Sequence, residues 1–129
     1  MKDGALKDKT KRFAIRIIRF VEYLRDEKKE TVLSRQILRS GTSIGANVRE
    51  SWNAQSKLDF VNKLSIALKE ADETAYWLEL FAESGVISSE QFKSLYSDVN
   101  EIIALLTASV KTAKKIELST LHSPLSTEK

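Results

Sequence analysis

The segment from Thr31 to Phe81 decides the fold; it reads TVLSRQILRSGTSIGANVRESWNAQSKLDFVNKLSIALKEADETAYWLELF. In its second half, apolar residues recur three and four positions apart, which is the spacing of one face of an α-helix. They are Phe60, Leu64, Ala67, Leu68, Ala71, Ala75 and Leu78. Because such a stripe must be buried against other helices, the segment predicts two long helices, joined near Gln55 and Ser56, within a helical bundle.

The flanking sequence continues this periodicity. Further core positions are predicted at Phe13, Ile17, Phe20, Val21 and Leu24, at Leu33, Ile37, Gly41, Ile44, Val48 and Trp52, and at Leu95, Val99, Ile102, Ile103, Leu106 and Val110. We therefore predict helices near residues 9–27, 32–54, 57–84 and 89–116. Connections this short exclude long crossovers, so the fold class is all-α, an elongated antiparallel up-down-up-down four-helix bundle.

Composition agrees with a single helical domain. The chain has 129 residues, four glycines, one proline and no cysteine, and helix interiors exclude glycine and proline. We assign residues 1–116 to the bundle and residues 117–129 to a disordered tail, because the tail loses periodicity and gathers Ser, Thr and the proline. Without an apolar leader or an apolar run of membrane-spanning length, we expect a cytoplasmic protein and no membrane contact.

Local signals mark several helix ends and one helix contact. Ser56 with Asp59, and Ser88 with Gln91, fit capping boxes that begin the third and fourth helices. Gly41 and Gly45, four residues apart, form a pair of small residues. We favour a close helix approach at this pair, and a local bend in the second helix is the alternative.

Charge is divided unevenly along the chain. Residues 1–49 hold thirteen Lys or Arg and six Asp or Glu, net +7, whereas residues 50–101 hold four and ten, net −6. A basic half suggests an anionic partner, and an acidic half suggests that part of the positive charge is met within the chain or by another copy.

Two basic stripes follow helical spacing. Arginines recur four and three residues apart in the first helix, and a similar series lies on the outward side of the second. The candidate nucleic-acid-binding residues are Arg12, Arg16, Arg19, Arg35, Arg39 and Arg49. The guanidinium group suits bidentate contacts with phosphate or carboxylate. The alternative interpretation is an ordinary solvated face.

The third helix carries more apolar surface than one core face needs. A second flank combines apolar and acidic side chains, and we predict that it is an oligomer interface: Ile66, Glu70, Glu73, Trp77, Leu80 and Phe81. The alternative is that its aromatic residues widen the core of the same chain.

Catalytic groups are scarce. The only histidine is His122, in the predicted tail, and the chain has no cysteine. A di-iron bundle would require inward-facing Glu-x-x-His pairs, which are absent. We therefore expect no enzymatic activity, no catalytic or metal-binding residues, no cofactor and no small-molecule substrate.

Two segments, LRSGTSIGAN and ALKEADETAYWL, carry a family resemblance that extends loosely from about Phe13 to Ile116. They resemble the small bacterial four-helix-bundle proteins encoded by intervening sequences in large-subunit ribosomal RNA genes. The chain is also similar to the accessory proteins of diversity-generating retroelements. This second resemblance implies a pentameric barrel that associates with a reverse transcriptase and nucleic acid.

Two functions are consistent with these features. The first is a non-catalytic nucleic-acid-binding protein, with RNA as the expected ligand, that uses both arginine stripes. The second is a structural oligomer or protein adaptor. In it, a homo-oligomer, preferably a pentamer, forms when the arginines of the first helix meet Glu70 and Glu73 of the next copy in a ring.

Overall fold

A computed structural model describes residues 2–122, with side chains for residues 4–116 and Leu118. Four helices run in sequence: α1 Lys2–Asp26, α2 Leu33–Ser51, α3 Lys57–Glu83 and α4 Ser89–His122. The described chain contains no strand, and the predicted all-α class is confirmed. Helix α1 begins earlier than predicted and α4 continues beyond residue 116. Residues 123–129 of the predicted tail lie outside the described residues.

The helices form an antiparallel bundle. Each helix packs along the next one in sequence, while α1 and α4 meet over a shorter contact that completes the bundle. The α1–α4 pair therefore forms one side of the bundle, and the α2–α3 pair forms the opposite side.

The predicted stripes form the core. Phe13, Ile17 and Leu24 of α1 are completely or almost completely buried. Leu6 and Thr10 extend this buried face toward the N-terminus, and the Thr10 hydroxyl donates a hydrogen bond to the Leu6 carbonyl at 2.9 Å. This bond satisfies a polar group that would otherwise be costly to bury.

Trp52 departs from its predicted core position. Helix α2 ends at Ser51, and Trp52 is the residue that caps it. The indole is 46% exposed. The prediction was wrong because the backbone of Trp52 is still helical (φ −68°, ψ −22°) but its ring lies beside open space at the end of the bundle.

Side chains and one glycine fix the helix ends. Ser56 Oγ accepts from the Asp59 amide at 3.0 Å, and Ser88 and Gln91 form a reciprocal capping box. Gly85, at φ +81°, follows α3 in the left-handed conformation that glycine adopts without strain. The cap at the start of α2 was not predicted. There the Glu30 carboxylate accepts hydrogen bonds from the three backbone amides of residues 32–34.

Two glycines bring α2 against α1. A Cβ added at Gly41 would lie 2.8 Å from Cγ1 of Ile17, and one added at Gly45 would lie 3.3 Å from the Thr10 carbonyl oxygen. The first distance is too short for any real side chain. The predicted close helix approach is therefore confirmed, because only the missing side chains allow this spacing.

Candidate nucleic-acid interface

The arginines of α1 do not form a uniform free stripe. Arg16 binds α4: its Nη1 lies 2.5 Å from Asp98 Oδ2, and its Nη2 donates to Ser94 Oγ at 2.8 Å. Arg12 pairs with Asp8 of its own helix at 3.2 Å. Arg19 is exposed and forms no ion pair with any described residue. The charge of Arg16 is thus used to hold α1 to α4.

Arg39 is paired as well. Its Nη1 lies 3.0 Å from Glu70 Oε1, and its Nη2 donates to Glu73 Oε2. The Trp77 indole N–H donates to the same Glu73 oxygen at 2.9 Å. Together these side chains form a charged cluster between α2 and α3.

The pKa values follow from this geometry. The hydrogen bond to Glu73 raises the pKa of Arg39 above its usual range, against the opposing effect of burial. Burial alone would raise the pKa of Glu73, but the bonds from Arg39 and Trp77 outweigh it, and the pKa lies below its ordinary value. Glu73 is therefore a stabilised carboxylate.

These pairs change the predicted contacts. Arg16 lies on the α1–α4 side of the bundle and Arg39 on the opposite, α2–α3 side. The six predicted arginines therefore do not converge on one surface, because the helix neighbours separate the two stripes. A ring contact between Arg16 and Glu70 or Glu73 of another copy would first have to break intramolecular pairs on both sides.

The outer face of the α1–α2 pair carries basic residues that remain unpaired. Beneath this face, Thr10 of α1 and Gly45 of α2 face each other, since a Cβ added at Gly45 would lie 3.3 Å from the Thr10 carbonyl oxygen. Lys11 is adjacent to Thr10, and Arg49 lies one helical turn beyond Gly45. Arg35 lies fourteen residues before Arg49, on nearly the same side of α2 but about 20 Å along the helix. We call the set of Lys7, Lys11, Arg35 and Arg49 the basic α1–α2 surface. All four are exposed and none forms an ion pair within the described part of the chain.

An aromatic ring completes this surface. Lys7 Nζ lies 5.1 Å from the centre of the Trp52 ring, within the range of a cation–π contact. Lys7, Lys11 and Trp52 were absent from the predicted site. The helical spacing of Phe13 continues back to Thr10 and Leu6, so the sequence could have predicted an earlier start of α1. Lys7 and Lys11 would then have been recognised as surface residues of this helix.

A groove lies beside Trp52 at one end of the bundle. There residues of all four helices line an open cavity of about 390 Å³. Its walls are mainly apolar, with hydroxyl groups contributed by α4; they include Leu6, Val48, Trp52, Leu64, Ser109, Thr112 and Ala113. We call this cavity the end groove.

The predicted oligomer flank is only partly on the surface. Ile66 is 40% exposed, and Trp77 and Leu80 are half-buried. Phe81 is fully buried and packs edge-on against Phe20, with ring centres 5.9 Å apart. Its assignment to an interface was wrong because its helical position faces the core. Tyr76, which was not predicted, is 53% exposed and contacts the Trp77 ring.

Other kinds of site find little support. Across the described residues, no group of three or more His, Cys, Asp or Glu side chains could hold a metal ion. No helix there combines the length and apolar character needed to cross a bilayer. The absence of catalysis and of cofactors stays a prediction.

Comparison with known proteins places the chain in a family. Residues 2–108 match the family model described as 23S rRNA-intervening sequence protein. The chain belongs to this family. A crystal structure of a protein of unknown function from the S23 ribosomal protein family of Bacteroides thetaiotaomicron VPI-5482 shares 55% identity with the chain, with a TM-score of 0.85. The match covers 86% of this chain and 99% of that one. No curated protein matches.

Proposed function

We propose that this member of the 23S rRNA-intervening sequence protein family binds RNA without catalysing a reaction, and that it does so through the basic α1–α2 surface. One observation carries the proposal. Lys11, Arg35 and Arg49 are exposed without acidic partners, whereas Arg16 and Arg39 are neutralised by carboxylates of the same chain.

Unpaired cations on one face suit a phosphate backbone. Each phosphate that a cation neutralises releases condensed counterions, and this release drives binding at low salt. Such contacts position a nucleic acid without reading its sequence. RNA presents such a backbone both as single strands and as a duplex, so it is the first ligand to test.

The test replaces Lys11, Arg35 and Arg49 together by Gln. RNA affinity is measured by fluorescence anisotropy from about 50 mM to 200 mM salt, a range in which several phosphate contacts change affinity by orders of magnitude. We expect the triple variant to bind all RNA sequences more weakly and to show a flatter salt dependence. For single-stranded RNA, the slope of log K against log salt should fall by about 0.7 for each phosphate that the variant no longer neutralises.

A matched control removes the same charge elsewhere. Lys28, Lys69 and Lys93 are exposed and form no ion pair with described residues, and they lie outside the basic α1–α2 surface. Replacing these three by Gln should leave the salt slope close to that of the wild type. Equal reductions of affinity in the two triple variants would assign binding to net charge alone. If the wild type binds no RNA at about 50 mM salt, where screening is weak, the proposal fails.

A second candidate, a homo-oligomer, is favoured by the exposed part of the α3 flank. Tyr76 is 53% exposed and its ring contacts Trp77, whose indole N–H is already bonded to Glu73. Ile66, 40% exposed, lies about three turns earlier on the same helix. Burying such a patch would supply most of the affinity, since exposed ion pairs contribute only about 0 to 1 kcal/mol. The predicted pentamer, and a reverse transcriptase as its partner, would follow from the resemblance to retroelement accessory proteins.

Light scattering at micromolar concentration tests this second candidate. The mass of the wild type should exceed that of one 14.6 kDa chain. Trp77→Ala should lower the oligomer mass more than Arg16→Ala does, because Arg16 is committed to α4. A monomeric wild type rejects the oligomer and leaves the RNA proposal standing.

A further inference from the structure

Trp52 is placed unusually for a large aromatic residue of a helical bundle. It is nearly half exposed, and its ring lies under the Lys7 ammonium group. It also forms part of the wall of the end groove. Its ring therefore connects the basic α1–α2 surface with an apolar cavity.

The end groove has the size and chemistry of a small binding site. Its volume of about 390 Å³ lies within the range of pockets that hold small organic groups. The walls are apolar apart from hydroxyl and backbone groups, including Ser109 and Thr112 of α4. These hydroxyls can donate or accept hydrogen bonds at the edge of a planar heterocycle.

Three cationic residues are neighbours of residues that line the groove. Lys7 stands over Trp52, and Arg49 precedes Trp52 by three residues at the end of α2. Lys115 lies one turn beyond Thr112 on α4 and is exposed without an ion pair to any described residue. A ligand that fits both features carries an apolar group, able to stack on Trp52, next to negative charge.

We propose that the end groove receives an unpaired base of single-stranded RNA, which stacks on Trp52 while Lys7 and Arg49 contact the adjoining phosphates. The inference rests on the proposed function and specifies the form of RNA that is bound. A nucleotide joins a planar base and a phosphate within one residue, which gives it both features. A duplex keeps its bases stacked inside the helix and cannot supply one, whereas single strands, loops and bulges can.

The chain offers a direct optical test, because it has only two tryptophans. The Trp77→Phe variant leaves Trp52 as the single fluorescent reporter, and the Trp52→Phe variant leaves Trp77. Each variant is titrated at low salt with a twelve-nucleotide oligoadenylate and with an RNA duplex of the same length. Oligoadenylate should quench Trp52 fluorescence and leave Trp77 fluorescence nearly unchanged, and the duplex should quench neither.

Affinity provides the second measurement. Trp52→Ala should weaken oligoadenylate binding about tenfold, as expected when one base–aromatic stack is removed. Duplex affinity should change by less than about twofold, because it depends on phosphate contacts. Ala113→Leu places a larger side chain in the groove wall while retaining Trp52, and it should reduce oligoadenylate affinity in the same selective way. Circular dichroism of each variant establishes that the helices are retained.

The outcomes separate the two proposals. If the wild type binds no RNA, both the proposed function and this inference are overturned. If RNA binds but Trp52→Ala and Ala113→Leu reduce duplex and single-strand affinity equally or not at all, only this inference is overturned. Quenching of Trp52 by an acidic amphipathic peptide, without quenching by oligoadenylate, would assign the groove to a protein helix and would also overturn it.

Discussion

The two contacts of α1, one with α2 and one with α4, are built in different ways. Against α2, glycines allow a close approach: a Cβ added at Gly41 would lie 2.8 Å from Cγ1 of Ile17, and one added at Gly45 would lie 3.3 Å from the Thr10 carbonyl oxygen. Against α4, two ion pairs cross the contact: Arg16 pairs with Asp98 at 2.5 Å, and Lys9 pairs with Glu101 at 2.9 Å. At one end of the bundle the end groove opens between α4 and the other helices.

The difference indicates where the molecule can bind other molecules. The α1–α2 contact is closed by backbone and small side chains, so cations beside it are left outside the bundle with no internal partner. The α1–α4 contact uses its own charges to close the bundle, and it leaves space at one end. Trp52 lies where the closed contact meets the open end, which is why both proposals involve this region.

The largest effect should come from enlarging a residue in the closed contact. Gly41→Leu would place a side chain where even a Cβ lies 2.8 Å from Ile17. The free energy of unfolding should fall by about 3 kcal/mol, the upper part of the range for overpacked cores. Urea denaturation measures it, and coincident midpoints for variant and wild type would mean that the helices can separate freely at this point.

A double-mutant cycle isolates the cause of this effect. Gly41→Ala should destabilise the wild type, although alanine favours helix by about 1 kcal/mol relative to glycine. In an Ile17→Ala background the two contacts below 3.0 Å are removed and only the Cβ of residue 17 remains close, at 3.2 Å, so Gly41→Ala should be much less destabilising there than in the wild type. Gly4→Ala is the matched control, because a Cβ at Gly4 would meet no atom within 4 Å. Equal effects of Gly41→Ala in the two backgrounds would exclude the contact with Ile17 as the cause.

A smaller effect is expected from charged contacts between helices, and Glu73 allows it to be measured by pH. Its pKa is lower in the folded protein than its ordinary value of 4.5. Its contribution to stability is therefore present above about pH 4.5 and is lost as the pH falls through the folded pKa. At pH 7, Glu73→Gln should lower the free energy of unfolding by no more than about 1 kcal/mol, since Arg39 is half exposed.

Denaturation at several pH values provides the check. The difference between wild type and Glu73→Gln should shrink toward zero on acidification, because the protonated carboxyl and the amide are both neutral. A difference that grows as the pH falls would have the wrong sign for a carboxylate stabilised by Arg39 and Trp77.

The fold could be predicted because its signals are local. Burial of Phe13, Ile17 and Val99 follows from a spacing that any helix imposes on its own sequence. Capping by Ser56 and Ser88 depends only on the next three residues. These features need no knowledge of which helices become neighbours.

The candidate site was less predictable because charge pairing depends on those neighbours. Arg16 finds Asp98 and Arg39 finds Glu73 on other helices, and a stripe of arginines looks the same whether or not such partners exist. Trp52 was misplaced because it keeps the helical spacing of Val48, and periodicity does not reveal that the bundle is open beside it. The early start of α1 was missed because Thr10 is polar and was not recognised as a core residue. Its hydroxyl can be buried because it is hydrogen-bonded within its own helix.

The smallest effect on stability should come from replacing a small residue by leucine at the end groove. Ala113 lines the end groove and is only partly buried, so Ala113→Leu extends into existing space instead of into a neighbour. Leucine and alanine are both strong helix formers, and substitutions without a clash usually change stability by less than about 0.5 kcal/mol. Urea denaturation of Ala113→Leu and Gly41→Leu under identical conditions compares the smallest and the largest expected losses of unfolding free energy. A destabilisation at Ala113 as large as that at Gly41 would mean that the end groove closes in solution, and the space proposed for an RNA base would then not exist.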